Sequence, residues 1–186
     1  MLIVGVGGTQ REGSSTELAL RAVLDATQRA GAEVQLFAGQ WLELPLYYPG
    51  RTERCDRAIA LVDALRRADG IVIGSPGYHG GISGLVKNAL DYAEDLSGDP
   101  RPYFEGRAVG CIATGGGFQG AHATLTGLRS VAHALRGWPT PLGIAINTRE
   151  PAFNPDRSCI DPALTAQLEM MAAQLIEFAA MRCERQ

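Results

Sequence analysis

The chain has 186 residues, 46% of them hydrophobic and 20% charged, a length and balance that bury a real core as one domain and exclude disorder. Acidic residues outnumber basic ones 20 to 17, a net charge of −3, which removes the general electrostatic footprint of a nucleic-acid binder. No apolar run approaches the roughly 18–20 residues that span a bilayer, and Met1-Leu2-Ile3-Val4-Gly5 lacks the basic start and cleavage site of a signal peptide.

Short apolar runs alternate with helical patterns along the chain. Leu2 to Val6 is a continuous strand signal, and Leu20, Val23, Leu24 and Thr27 then share one helical face. Val34 to Phe37 is a weaker strand. Ala58, Leu61, Val62 and Leu65 mark a second helix, closed by Asp69-Gly70. Ile71-Val72-Ile73 is a third strand, followed by a helix over Leu85, Ala89, Tyr92 and Leu96. Val109 to Ala113 is strand four, Leu125, Leu128, Ala132 and Leu135 form helix four, and Leu142 to Ile146 is strand five. Asp161-Pro162, a cap residue followed by proline, opens a last helix striped with Leu164, Leu168, Met171, Leu175 and Phe178.

Strands alternating with helices predict an α/β fold of three layers, a five-stranded parallel sheet covered on both faces. Runs such as Ile71-Val72-Ile73 suit strands buried on both sides. The mixed Val34-Gln35-Leu36-Phe37 suits an edge, consistent with strand order 2-1-3-4-5 and a single domain over residues 1–186. Two stretches, Ala38 to Thr52 and Asn147 to Ile160, are long for loops and suit lids or subunit contacts. Cys55, Cys111, Cys159 and Cys183 lie far apart with no Cys-x-x-Cys, which fits free thiols in a reducing cytoplasm.

Ligands of open α/β sheets bind beyond the carboxyl ends of the strands. After strand one come Gly7-Gly8-Thr9-Gln10-Arg11-Glu12-Gly13-Ser14-Ser15-Thr16 and a helix. Glycines admit a ligand to the backbone, the hydroxyls of Thr9, Ser14, Ser15 and Thr16 donate, Arg11 adds charge, and the helix start adds free N–H groups. The set suits a terminal phosphate. A dinucleotide fingerprint starting at Gly5 meets Gln10 where its third glycine belongs, and a P-loop lysine is absent. Alone, the segment also reads as a solvated Ser/Thr-rich turn with an ordinary helix cap.

After strand three, Ser75-Pro76-Gly77-Tyr78-His79-Gly80-Gly81-Ile82-Ser83-Gly84 reads as a tight loop carrying an aromatic ring and an imidazole. It suits the edge of a flat heterocycle. Taken singly, Tyr78 also reads as a half-buried loop aromatic and His79 as a surface histidine bonded to backbone. After strand four, Thr114-Gly115-Gly116-Gly117 reads either as a flexible loop or as a ligand face that tolerates no side chains. Convergence of the three loops on one crevice is more specific than any of them. His122 and His133 fall on helix four, away from it, and no carboxylate pattern near the histidines marks a metal site.

The first loop resembles the Gly-Ser-x-Arg-x-x-Ser-x-Asn phosphate loop of the NAD(P)H-dependent FMN reductase family, within the flavodoxin-like fold. Thr9 stands for its serine, Thr16 for its asparagine, and Arg11 and Ser14 match directly. Ser75 to Asp91 is similar to the family's Ser-Pro-Glu-Tyr-Asn-Gly…Leu-Lys-Asn-Ala-x-Asp stretch, and Leu44-Pro45-Leu46-Tyr47 to its Leu-Pro-x-Tyr segment. The resemblance implies that Thr9, Arg11, Ser14, Ser15 and Thr16 hold the FMN phosphate. Pro76, Gly77, Tyr78, His79 and Gly80 would line the ribityl chain and ring, and Thr114, Gly115, Gly116 and Gly117 its other edge. Gly77 replaces the family's glutamate and His79 its asparagine.

The implied activity is an NAD(P)H-dependent flavin oxidoreductase: hydride passes from NADPH or NADH to FMN N5, and electrons go on to free flavin, a quinone or another small acceptor. No dedicated catalytic side chain is needed, because the cofactor carries the chemistry. The resemblance also implies a homodimer or homotetramer and allows a flavin-dependent monooxygenase as partner. Two alternatives stand beside it: a flavodoxin-like FMN electron carrier without NAD(P)H activity, and a non-enzymatic regulatory protein on the same fold.

Overall fold

The computed structural model describes residues 1–183, with the side chain of Cys183 outside the described residues. In chain order the elements are β1 (Leu2–Gly7), α1 (Ser15–Arg29), β2 (Glu33–Phe37), α2 (Asp56–Arg67), β3 (Gly70–Tyr78), β4 (Gly81–Ile82) and α3 (Gly84–Asp91). Then follow β5 (Ala108–Gly115), α4 (Phe118–Ala134), β6 (Trp138–Pro139), β7 (Ile144–Asn147) and α5 (Pro162–Cys183), with short 3-10 turns at Gly39–Leu42 and Tyr92–Leu96.

The five long parallel strands stand in the order β2-β1-β3-β5-β7, the expected 2-1-3-4-5. Alternation along each strand sorts the core into two layers. Val4, Val6, Ile71 and Ile73 face Leu61, Leu65, Val86, Leu90 and Leu128 of α2, α3 and α4. Ile3, Val72 and Ile112 face Leu20 and Val23 of α1 and Met171 and Leu175 of α5. Each such side chain, fully buried, contributes about 1.5–3 kcal/mol.

Two details differ from the sequence expectation. The fifth strand is split: β6 pairs with the start of β5 and β7 with its end. Pro139 ends β6 and Pro141 lies in the break, and proline cannot donate to a ladder. The gap is tied instead by Thr140, whose N–H donates to Val109 O (3.0 Å) and whose hydroxyl donates to Leu142 O (2.7 Å). Leu142 and Gly143 therefore sit in the break and not in a strand. The second difference is that β3 continues to Tyr78 and turns back into β4, pairing Gly77 with Ile82 and Tyr78 with Gly81.

The segment after β2 is also fixed. Asn88 of α3 accepts the Tyr47 N–H (2.8 Å) and donates to Leu44 O (3.3 Å) and Pro45 O (3.0 Å). The Tyr92 hydroxyl donates to Pro45 O at 2.9 Å. Arg54 makes a two-pronged pair with Asp95, both bonds 2.8 Å, and lies over the Tyr47 ring. The Asp95 carboxylate holds that guanidinium above its ordinary pKa. Two sequence motifs, Leu44 to Tyr47 and Lys87 to Asp91, thus interlock as one clamp.

Candidate functional site

β1, β3 and β5 are adjacent and parallel, so the loops leaving their carboxyl ends meet at one edge of the sheet. The first loop ends in a variant of the capping box, in which the glutamate reaches the residue before the cap. Ser14 Oγ accepts the Glu17 N–H (3.3 Å), and the Glu17 carboxylate reaches back to the Gly13 N–H (3.1 Å). Glu17 is buried, and Arg21 neutralises it through bonds of 2.9 and 2.7 Å. Ser14-Ser15-Thr16-Glu17 spells this box, a signal that the phosphate-loop reading passed over.

The remaining hydroxyls divide by role. Thr9 Oγ1 accepts the Arg11 N–H (3.1 Å) and donates to Arg11 O (3.2 Å), which folds the loop around its arginine. Arg11 is exposed, and its guanidinium is in none of the ion pairs among the described residues. Ser15 is half-buried at the first turn of α1. Thr16 is buried, and its hydroxyl lies 2.7 Å from that of Thr114 at the end of β5.

The second loop, read as a tight loop, is a hairpin. His79 and Gly80 are its two turn residues, with φ of 53° and 78°. Positive φ at both central residues is the type I′ pattern that matches the twist of a hairpin. Tyr78 is 58% exposed. Pro76 is buried and is the strand partner of Thr114. Ser75 Oγ accepts the Ser83 N–H (3.0 Å), and Ser83 caps α3.

Gly77 is where α4 approaches the hairpin. A Cβ at this position would lie 2.7 Å from Thr124 Oγ1 and 3.1 Å from Gly120 O. Thr124 donates to Gly81 O at 3.3 Å. The space that a glutamate side chain would enter here is filled by α4.

The third loop is bare backbone. Gly115 is half-buried and its carbonyl accepts the Thr148 N–H at 2.7 Å. Gly116 and Gly117 have open space where a side chain would stand, and Gly117 caps α4 with no side-chain bond. The start of α4 therefore offers N–H groups that no side chain has taken.

The structure brings Thr9, Arg11, Ser14, Ser15 and Thr16, Pro76 to Gly80, and Thr114 to Gly117 to one edge. His122 and His133 lie on α4, both exposed. Among the described residues no cluster of three His, Cys, Asp or Glu is placed to hold a metal ion, and no helix is long and apolar enough to cross a membrane.

The edge fits a phosphorylated planar cofactor. It has one unpaired guanidinium, hydroxyls and a helix start at one end. Glycines with open space beside them, Gly80, Gly116 and Gly117, stand at the other.

A sequence model of the family described as NADPH-dependent FMN reductase matches residues 1–150. FMN-dependent NADPH-azoreductases of Staphylococcus aureus are 34% identical over 113 residues, which cover 60% of this chain and 56% of theirs. The match thus spans little more than half the length of those relatives.

Among solved structures, a flavoenzyme NAD(P)H:(acceptor) oxidoreductase from Paracoccus denitrificans aligns at a TM-score of 0.78 and 20% identity, over 97% of this chain and 98% of that one. An NADH:FMN oxidoreductase in its apo form aligns at 0.69 and 22% identity, over 94% and 89%. A flavodoxin from Streptococcus pneumoniae aligns at 0.63 and 14% identity, over 95% and 99%. At these identities the three establish the fold, which is flavodoxin-like.

Proposed function

The chain belongs to the NADPH-dependent FMN reductase family, and from that premise we propose that it is an NAD(P)H-dependent flavin oxidoreductase holding FMN across the ends of β1, β3 and β5. The observation that carries this reading is the meeting of the three loops, pinned by the buried Thr16–Thr114 hydroxyl contact. The chemistry FMN supplies when bound is uptake of hydride from a reduced nicotinamide and delivery of electrons to a small acceptor.

The chain's own residues bind and orient. Arg11, held in its loop by the Thr9 hydroxyl, brings the positive charge to the phosphate, helped by the Ser14 and Ser15 hydroxyls and the α1 N-terminus. Thr16 holds that end in place through Thr114. Pro76, Gly77, Tyr78, His79 and Gly80 border the ribityl chain and ring on one side, and Thr114, Gly115, Gly116 and Gly117 on the other. Backbone N–H groups of these loops stabilise negative charge on the ring. No side chain is required to move a proton.

The reading extends to one domain over residues 1–186, a cytoplasmic homodimer or homotetramer, and a small-molecule acceptor. A flavin-dependent monooxygenase that draws reduced flavin from it is the partner to look for. The family description and the azoreductases name NADPH and one structural neighbour names NADH, so either nicotinamide is the donor to test.

The test is titration of the purified chain with FMN, followed by anaerobic NADPH or NADH. The reading expects quenching of flavin fluorescence at micromolar FMN, bleaching of the flavin band by NADPH within seconds, and loss of binding in Arg11→Ala with the fold intact. A chain that leaves FMN fluorescence unchanged overturns it. Bound flavin that NADPH and NADH both fail to bleach turns the assignment to an electron carrier.

A further inference from the structure

The edge that carries the glycine loops continues to β7, and there the chain forms a half-open cavity of about 300 Å³. Ile146 and Asn147 line it, and they are the strand partners of Thr114 and Gly115. Phe118, directly after Gly117, forms another wall. The segment after β7 folds over the top, held by the Thr148 N–H to Gly115 O (2.7 Å) and the Ile160 N–H to Ala152 O (3.0 Å). Phe118 is 57% and Ile160 50% exposed, so two large apolar side chains stand uncovered at its mouth.

The charge around this cavity has one sign. Glu150 and Asp161 line it, and no lysine, arginine or histidine does. Glu150 is in none of the ion pairs among the described residues. His122 stacks on Phe118 at 6.0 Å between ring centroids but is not part of the lining. The start of α5 would ordinarily draw an anion. Here Pro162 has no N–H, and Asp161 Oδ1 already accepts the Ala163 N–H at 2.8 Å.

We propose that this cavity is a binding site for a compact planar organic cation, one or two aromatic rings bearing an ammonium or iminium charge. Apolar walls take the rings, and Glu150 and Asp161 take the charge at the rim. The volume stands at the small end of ligand pockets, which limits the occupant to that size. Where the FMN reading holds, the site adjoins the flavin's Thr114–Gly117 edge, one strand spacing away.

The test uses the full chain without FMN and two probes of equal ring size, 2-naphthyltrimethylammonium and naphthalene-2-sulfonate, followed by their fluorescence and by calorimetry at low salt. The expected result is that the cation binds at least about fivefold more tightly than the sulfonate. In Glu150→Gln/Asp161→Asn, where asparagine still caps α5, that preference disappears. In Leu164→Trp, which fills the cavity, cation binding is lost while thermal unfolding stays cooperative. Equal binding of both probes, binding of neither, or an unchanged preference in the double variant overturns the proposal. Repeating the titration with FMN present separates the two readings. Cation binding that persists while FMN fails to bind supports this site and overturns the flavin assignment instead.

Discussion

Thr16 and Thr114 are separated by 98 residues of chain, yet their hydroxyl oxygens lie 2.7 Å apart in the protein interior. For this to happen α1 must cross β3, which lies between β1 and β5. Gly74 permits the crossing: a Cβ there would meet Leu20 Cγ at 2.9 Å and Thr16 Cγ2 at 3.0 Å. Thr16→Val and Thr114→Val each strand one buried hydroxyl, and each costs about 1–3 kcal/mol. The double variant strands neither, so its cost falls short of the sum by about 1 kcal/mol. Urea unfolding of the four proteins measures that coupling. Additive costs would show that the contact contributes nothing of its own.

The β3–β4 hairpin tests the left-handed turn. Asparagine followed by glycine is the favoured pair for a type I′ turn, and His79-Gly80 occupies those places. Histidine tolerates positive φ better than most residues, and a β-branched side chain tolerates it poorly. His79→Asn gains a few tenths of a kcal/mol. His79→Val loses about 1–3 kcal/mol and loosens FMN binding with it. Thermal unfolding and flavin titration read the two effects. A valine variant as stable as the parent would remove the turn from the argument.

How much of this was legible in sequence depended on whether the signal was local. Ile71-Val72-Ile73 and the Asp161-Pro162 start declared themselves because burial on both faces and helix capping leave local patterns. The hairpin did not: Gly77 to Ile82 reads only as part of a tight loop, since β4 has two residues and no alternation to read. The split edge strand was hidden because Leu142 to Ile146 is apolar throughout, while the break is imposed by Pro139 at its start and Pro141 within it. The three loops after β1, β3 and β5 were visible as glycine and hydroxyl clusters. The Thr16–Thr114 contact was not, because both residues looked like ordinary loop donors. Nor was the clash that a side chain at Gly77 would meet, which depends on where α4 lies.

Arg107, first by volume among the fully buried side chains, has no local pattern around it that marks it as buried. It is fully buried and is in none of the ion pairs among the described residues. Its guanidinium donates to Ala68 O (2.9 Å), Arg66 O (2.7 Å) and Tyr103 O (2.7 Å). The first two are the last carbonyls of α2, where the negative end of the helix dipole favours a cation. Burial, and then Arg101 beside it, pull its pKa down to about 10. Arg107→Met removes the donor to Tyr103 O and leaves Arg66 O and Ala68 O to Arg101 alone, at a cost of about 1–3 kcal/mol. Arg136→Met, which breaks only the exposed pair with Glu105, costs at most about 1 kcal/mol. Denaturant midpoints of the two variants decide it, and equal midpoints would refute the capping role.

Cys111 gives the pH dependence its sign. Its thiol is buried in the sheet, and burial pushes its pKa from 9.0 up to about 12. Above pH 9 the unfolded chain gives up this proton while the folded chain keeps it, so the unfolded state binds fewer protons. Stability from this group is full below pH 9 and falls between pH 9 and 12, by at most about 1.4 kcal/mol per pH unit. Arg107 titrates in the opposite sense from about 10 upward, but it is common to both proteins when the parent is compared with Cys111→Ala. The stability difference between those two, measured in urea at pH 7, 8, 9 and 10, stays flat to pH 8 and then shrinks. The exposed Cys55 reacts with a maleimide at pH 7 under the same native conditions, and Cys111 does so only on unfolding. A difference that stays constant to pH 10, or native labelling of Cys111, would show that this thiol is not held neutral by the fold.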